Sequence, residues 1–313
     1  VKVAVVGAGF AGLAVCLRLL DLGIEVDLYD QKGVGAGASG VASGLLHPYI
    51  GESGKRSQRA SEALEEARRL LVIAGEHGQE EVANFQGIVR QTPKELVPLF
   101  LEHAKLYGDV ERVGEELFLI TSGVSVYASL YVQGLYRACL VKGLRFHIQH
   151  VPLMQNLPDA DVTVFTIGAG ILLFPICQEW RLHAVKGQAV ICSWPEELPV
   201  LSKSLVGKGH ITPMKGGKKV CLGSTYERGI LDARSCLEAA LPDLTAKARV
   251  LMPGWTNITV EECFAGVRVS CARQYVPLIQ KVGDKVFAIT ALGSRGLLYH
   301  GIIAKDFVDQ LRG

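Results

Sequence analysis

Three glycines near the amino terminus, Gly7, Gly9 and Gly12 in the run Gly7-Ala8-Gly9-Phe10-Ala11-Gly12, have the spacing of a phosphate-binding turn. In such a turn Gly7 permits the sharp reversal, Gly9 lets the backbone approach a pyrophosphate, and Gly12 lets the following helix pack closely on a sheet. Phe10 and Ala11 stand at the helix start, where unpaired N–H groups and the positive end of the macrodipole hold anions. Asp30, followed by Gln31, comes roughly twenty residues on, the interval at which a carboxylate meets a ribose. The combined chemistry is dinucleotide binding. The competing reading is a buried βαβ unit that holds no ligand.

The surrounding pattern supplies the elements this chemistry needs. Val3-Ala4-Val5-Val6 is an apolar strand, a helical pattern runs through Leu22, and Ile24-Glu25-Val26-Asp27-Leu28-Tyr29 alternates as a second strand ending at Asp30. Residues 33–44, with Ala38, Ser39, Gly40 and Gly44, carry almost no side-chain bulk. A flexible linker there would separate parts of one βαβ unit, so the loop is expected to lie under something large and flat.

Helices are expected over 59–74, over 92–106 with a break at Pro98, and over 127–142 with Gly143 as C-cap. Strands are expected over 117–120, 144–148 and 162–167, the last delivering Gly168-Ala169-Gly170. Segments 187–192, 209–213 and 220–224 suggest a separate, largely antiparallel sheet. Residues 286–291, then Gly293-Ser294-Arg295-Gly296 and a helix to Leu311, return to βα character. The expected fold is α/β: a Rossmann-like dinucleotide domain (1–50, 127–180, 266–313) interleaved with a mainly antiparallel substrate domain (51–126, 181–265). Such interleaving suits a flavin, whose ring must reach a second domain where substrate waits.

Composition narrows the class. The 313 residues are 49% apolar and 20% charged with a net charge of +2, as in an ordinary globular protein with no compulsory polyanionic partner. Eight dispersed cysteines without C-x-x-C spacing argue against a metal site or disulfide framework and for buried thiols in a reducing, cytoplasmic setting. The apolar stretch 162–177 contains Gly168, Gly170 and Pro175 and is too short to span a bilayer, so no membrane partner is expected. The chain starts at valine, which leaves a processed leader and organelle import open.

The opening motif, the Ala38-Ser39-Gly40 loop, Thr166-Ile167-Gly168-Ala169, Gly266-Val267-Arg268 through Pro277-Leu278-Ile279, and Leu292-Gly293-Ser294-Arg295-Gly296-Leu297 resemble the FAD-dependent D-amino-acid oxidase superfamily, which includes glycine oxidases. Lys186-Gly187-Gln188, His210-Ile211-Thr212-Pro213 and 222–228 are similar to the oxidase halves of bifunctional enzymes that mature 5-methylaminomethyl-2-thiouridine in tRNA. The resemblance covers nearly the whole chain. It departs at Gln274, where an aspartate is usual, and at Gln280, where a glycine is common; the methyltransferase half is absent.

The resemblance implies an FAD-dependent oxidase of a C–N bond, with hydride passing to the flavin, imine hydrolysis, and reoxidation by oxygen to give hydrogen peroxide. It assigns Gly7, Gly9, Phe10, Ala11, Gly12, Asp30, Gln31, Ala38, Ser39, Gly44, Gly168 and Ala169 to FAD. Gly293, Ser294, Arg295, Gly296 and Leu297 go to the flavin ring, where a helix start favours the reduced anion. Arg268 is implied as the carboxylate anchor, since a guanidinium grips a carboxylate with two parallel hydrogen bonds. The competing role is a structural pair with Glu261 or Glu262. Tyr226, closing over the ligand, and His47, beside the flavin, complete the candidate catalytic set; packing and simple polar roles compete for both.

The implied substrate is the carboxymethylaminomethyl group of a tRNA wobble uridine, released as glyoxylate. The alternatives are a small amino acid such as glycine or sarcosine, and a non-catalytic flavin-binding interaction protein. Lys203, Lys208, Lys215, Lys218 and Lys219 lie in an acid-free stretch that suits RNA phosphates, or equally guards sheet edges.

Overall fold

The computed structural model describes residues 1–152, 154–272 and 276–313; the side chains of Ile176 and Cys177 also lie outside the description, as do Arg273 and the Gln274 departure. Strand Lys2–Val6 leads into helix Phe10–Asp21 and strand Glu25–Asp30, the expected βαβ unit. These strands belong to a six-stranded sheet ordered Arg145–Ile148, Glu25–Asp30, Lys2–Val6, Val162–Phe165, Val286–Thr290, Leu278–Gly283. The first five run parallel and the last is antiparallel. The sheet thus gathers both ends and the middle of the chain. Gln280 sits in that outer antiparallel strand, opposite Ala288.

The period of two decides which residues meet which layer. Val3, Val5, Val26, Leu28, Val164, Phe287 and Ile289 face a core shared with helices Phe10–Asp21, Ala60–His77, Ala128–Val141 and Gly296–Arg312. Ala4, Val6, Tyr29, Phe165 and Ala288 face the opposite side, against Ile171, Phe174 and Val269. Helix Ala60–His77 packs on Ala128–Val141. Gly134 makes that crossing close, for a Cβ there would stand 2.4 Å from the Ala74 carbonyl oxygen.

A second, nine-stranded sheet is centred on Leu182–Ser193, which pairs antiparallel with Val260–Cys271 along its length and with Lys219–Gly223. It continues through His210–Pro213, Ser204–Val206, Ile88–Gln91 and Leu117–Ile120 to the edge strand Val110–Arg112. One contact in it, between Ser204–Val206 and Ile88–Gln91, is parallel. Val190, Cys192, Ile211, Val220 and Leu222 point to one face, covered by helix Leu237–Leu251 and by Trp194 and Trp255. The other face is left for the cleft.

Some local expectations shift. Pro98 does not interrupt its helix: a single 3₁₀ turn, Lys94–Leu96, precedes helix Val97–Ala104, and Pro98 occupies its first turn, where no amide donor is needed. The strand expected over 162–167 stops at Phe165, and two 3₁₀ segments, Gly168–Leu173 and Pro175–Trp180, follow. Among the described cysteines Cys16, Cys139, Cys192, Cys221 and Cys271 are buried as expected, whereas Cys236 is exposed and Cys263 half-buried. No helix among the described residues is long and apolar enough to cross a membrane.

Candidate active site and cofactor cleft

A cleft of about 730 Å³ runs between the two sheets. At one end lies the amino-terminal turn. Gly7 has φ +112°, its N–H donates to the Tyr29 carbonyl (2.7 Å), and a Cβ there would lie 2.6 Å from the Thr166 carbonyl oxygen. At Gly12 a Cβ would come within 1.8 Å of the Gly7 carbonyl oxygen, so the helix approaches its own turn as only glycine allows. Gly9, Phe10 and Ala11 line the cleft, while Gly7 and Gly12 stand behind and shape it.

Helix Phe10–Asp21 has no side-chain cap and no acid in its first turn, and the same holds for helix Gly296–Arg312. Both open on the cleft, so two sets of amides and two positive helix ends converge there. The low-bulk loop passes between: Ser39 Oγ accepts a hydrogen bond from the Phe10 N–H (3.1 Å), and the Gly35 N–H donates to the Ala8 carbonyl (2.9 Å). Gly44, at φ +78°, turns so close to Val126 that a Cβ would meet its carbonyl oxygen at 1.9 Å. Ala38, Ser39, Gly44, Gly168 and the run Gly293, Ser294, Arg295, Gly296 and Leu297 all line the same cleft.

Asp30 stands behind the turn. Its Oδ2 accepts from the Ala8 N–H (2.9 Å) and its Oδ1 from the N–H groups of Lys32 (2.8 Å) and Gly33 (3.0 Å), so the carboxylate ties the glycine turn to the start of the small-residue loop. Gln31 is exposed and meets His150 Nδ1 at 3.2 Å. Ala169 packs in the apolar cluster beneath Phe165 and does not line the cleft.

The opposite wall is the uncovered face of the nine-stranded sheet. Phe264, Ala189, Gly223 and His210 form one cross-strand row, with Gly187 opposite Gly266 and Val185 opposite Arg268 in the next rows. Gly187, Ala189, Gly223 and Gly266 make a low floor on which longer side chains lie flat. The Arg268 guanidinium covers Gly187 and the His210 imidazole covers Gly223: a Cβ at these glycines would come within 2.8 Å of Arg268 Nη2 and 2.6 Å of His210 Nε2.

Arg268 Nη2, His210 Nε2 and His47 Nδ1 are buried without a hydrogen-bond partner among the described residues, and all three side chains line the cleft. Neither Glu261 nor Glu262 pairs with Arg268; Glu261 pairs with Lys219 and accepts from Ser193 Oγ (2.6 Å). Burial lowers the Arg268 pKa below the usual arginine range. Burial, then the neighbouring Arg268, Lys247 and His47, pushes His210 down to about 3. Burial and the Arg90 charge bring His47 to about 4, so both rings are neutral across the physiological range.

Tyr226 is 57% exposed and outside the cleft lining, with the Arg228 guanidinium 5.5 Å from its ring centre, and it lies within electrostatic reach of Arg268. Of the five lysines in the acid-free stretch, Lys215 is paired with Glu80 (2.5 Å) and Lys219 with Glu261, while Lys208 stands exposed at the cleft.

Three cleft residues were not assigned a role from sequence. Arg90 is 4% exposed and donates from Nη2 to the carbonyls of Gly51 (2.6 Å) and Glu52 (2.8 Å), fixing the rim; burial brings it down to about 10. Lys247 donates to the Ser224 carbonyl (2.8 Å) and to Asp243 Oδ2 (2.6 Å). His210 was visible only as part of a similar tetrapeptide. Its inward direction depends on strand register, which no local signal fixes. No group of three His, Cys, Asp or Glu side chains among the described residues is placed to hold a metal ion.

A long dinucleotide with a planar head group fits this site: two helix starts with no acid in the first turn, a loop of small side chains between them, and a cleft continuing to Arg268 Nη2 and His210 Nε2, neither of which has a partner among the described residues. Comparison with known proteins agrees. A family model described as FAD dependent oxidoreductase matches residues 2–310. The tRNA 5-methylaminomethyl-2-thiouridine biosynthesis bifunctional protein MnmC of Maricaulis maris is 27% identical over 332 residues, covering 99% of this chain and 52% of that protein. The MnmC of Haemophilus ducreyi is 23% identical, covering 88% and 47%. The chain therefore spans about half the length of these curated relatives. Among solved structures, glycine oxidase from Geobacillus kaustophilus superposes with a TM-score of 0.84 at 18% identity, covering 99% of this chain and 95% of its own. Iminodiacetate oxidase from Chelativorans sp. BNC1 gives 0.80 at 19% identity, covering 97% and 93%. The chain belongs to the family of FAD-dependent oxidoreductases, with FAD as its cofactor.

Proposed function

We propose that this protein oxidises the C–N bond of a carboxylated amine, and that its substrate is the carboxymethylaminomethyl group of a tRNA wobble uridine. The observation that carries the reading is Arg268: a guanidinium in a cleft, its Nη2 buried and unpartnered, with no acid on it among the described residues. Such a group costs free energy until an anion arrives, and a carboxylate meets it with two parallel bonds. FAD supplies hydride acceptance when bound. Arg268 holds the carboxylate and so fixes the carbon between carboxylate and nitrogen, while residues Gly293 to Leu297, at the positive end of helix Gly296–Arg312, would hold the flavin and favour negative charge on it. The apolar walls at Phe264, Ile289 and Leu297 limit water at the reacting carbon.

The balance is one amine, one oxygen and one water giving glyoxylate, the shortened amine and hydrogen peroxide. The curated relatives support tRNA as the carrier of the amine, as does Lys208 at the cleft. A second reading is a free amine such as glycine or sarcosine, favoured by the neutralisation of Lys215 and Lys219 in ion pairs. Mass spectrometry of wobble nucleosides from cells lacking the protein separates the two. Accumulated carboxymethylaminomethyl uridine is expected; an unchanged nucleoside profile would leave the free-amine reading.

A further inference from the structure

We propose that His210 recognises the amine, its Nε2 accepting a hydrogen bond from the N–H of a neutral amine whose carboxylate is held by Arg268. This rests on the carboxylate-binding reading of Arg268. His210 is 9% exposed, its Nε2 has no partner among the described residues, and its ring lies on the cleft face of the sheet.

The spacing comes from the sheet. Arg268 leans one strand inward over Gly187, and His210 leans one strand inward over Gly223, so the two head groups stand over neighbouring strands, about one two-residue step apart. Strand geometry sets that diagonal at roughly 8 Å. An α-amino acid spans about 3 Å from carboxylate oxygen to nitrogen, and two hydrogen bonds of about 2.9 Å complete the distance. Gly187, Ala189 and Gly223 leave the floor between the two head groups open.

Charge gives the same answer. The groups facing His210 are Arg268 on strand Val260–Cys271, Lys247 on helix Leu237–Leu251, and His47. Lys247 is paired with Asp243, which leaves the Arg268 charge to disfavour an ammonium ion, and a neutral imidazole with its proton on Nδ1 offers Nε2 as an acceptor for N–H. A neutral amine keeps the lone pair that C–H oxidation needs. Secondary and primary amines carry the N–H that His210 would hold; tertiary amines do not.

The test uses the FAD-loaded enzyme under anaerobic conditions, following flavin bleaching by sarcosine and by N,N-dimethylglycine. The wild type is expected to prefer sarcosine, and His210→Phe to lose about tenfold of that preference, as befits one hydrogen bond. His210→Gln, which keeps an acceptor, should restore most of it. Binding of acetate, read from the flavin spectrum, reports the Arg268 site and should persist in both variants. A His210→Phe enzyme that binds acetate and keeps the full preference would overturn the inference alone. A wild type bleached neither by sarcosine nor by tRNA carrying carboxymethylaminomethyl uridine would overturn the underlying reading and the inference with it.

Discussion

The guanidinium of Arg268 lies flat against Gly187, so close that a Cβ at position 187 would sit 2.8 Å from Nη2. Two residues on facing strands therefore define the candidate anchor: one supplies the charge, and the other supplies the absence of a side chain that lets the charge lie at the cleft wall. Arg268→Lys removes the planar fork and leaves a point charge on a shorter reach. Its KM for a carboxylated amine should rise about 100-fold, or about 3 kcal/mol, while FAD content stays near one per chain. Steady-state kinetics with measured flavin stoichiometry checks this; an unchanged KM would remove Arg268 from the carboxylate.

Gly12→Ala tests the opposite end of the cleft. The added Cβ would meet the Gly7 carbonyl oxygen at 1.8 Å, and Thr166 Oγ1 at 2.7 Å closes the way out. Because Thr166 Oγ1 also donates to the Val6 (3.0 Å) and Gly7 (2.9 Å) carbonyls, the turn has little room to relax. A loss of about 3 kcal/mol in stability is expected, with FAD released on gel filtration.

The two buried imidazoles set a pH signature. His47 is held down at about 4 and His210 at about 3, against an ordinary histidine near 6.5. The rate of flavin reduction should show no imidazole step between about pH 5 and 8 and should follow the ionisation of the substrate amine instead. Stability carries the sign of lowered folded-state values: the unfolded chain binds more protons below about 6.5, so this contribution is complete above that pH and fades as pH falls towards 4. Urea midpoints across that range check it. His210→Gln should flatten the slope.

Asp27 gives a second acid-sensitive element, remote from the cleft. Its side chain is 4% exposed and meets Arg145 (2.8 Å), His147 (2.8 Å) and Lys2 (3.2 Å). The Arg145 bonds hold the carboxyl well below the usual range despite burial, with His147 and Lys2 adding to the effect. A depressed carboxyl stabilises the fold above its unfolded value near 4, and this stabilisation is lost as pH falls further. Asp27→Asn should cost about 2 kcal/mol at neutral pH, and the gap to wild type should begin to narrow only below about pH 4, by chemical denaturation.

The part of the fold nearest the amino terminus was the most legible, because its signals are local. The Gly7 to Gly12 spacing, the alternation before Asp30 and the Gly143 stop each depend on a few consecutive residues; strand and helix appear where expected, and the helix ends with Lys142 as its C-cap and Gly143 just beyond it at φ +91°. Helix Leu237–Leu251 was not anticipated, since Pro242 sits inside it. The cleft wall was harder still. Arg268 was singled out through a resemblance and His210 was not, yet both owe their position to a register running across four strands, from Phe264 through Ala189 and Gly223 to His210. A shift of one residue would turn every one of these side chains to the helix-covered face. Tyr226 shows the converse: an aromatic beside the right strand that ends in solvent.

The most direct measurement follows the purified FAD enzyme acting in air on tRNA that carries carboxymethylaminomethyl uridine, with glyoxylate and hydrogen peroxide quantified together. Equal amounts of both, released in step with the shortened wobble nucleoside and suppressed in Arg268→Ala, are the expected result. Peroxide without glyoxylate, or full turnover in Arg268→Ala, would contradict oxidation of a carboxylate-anchored amine.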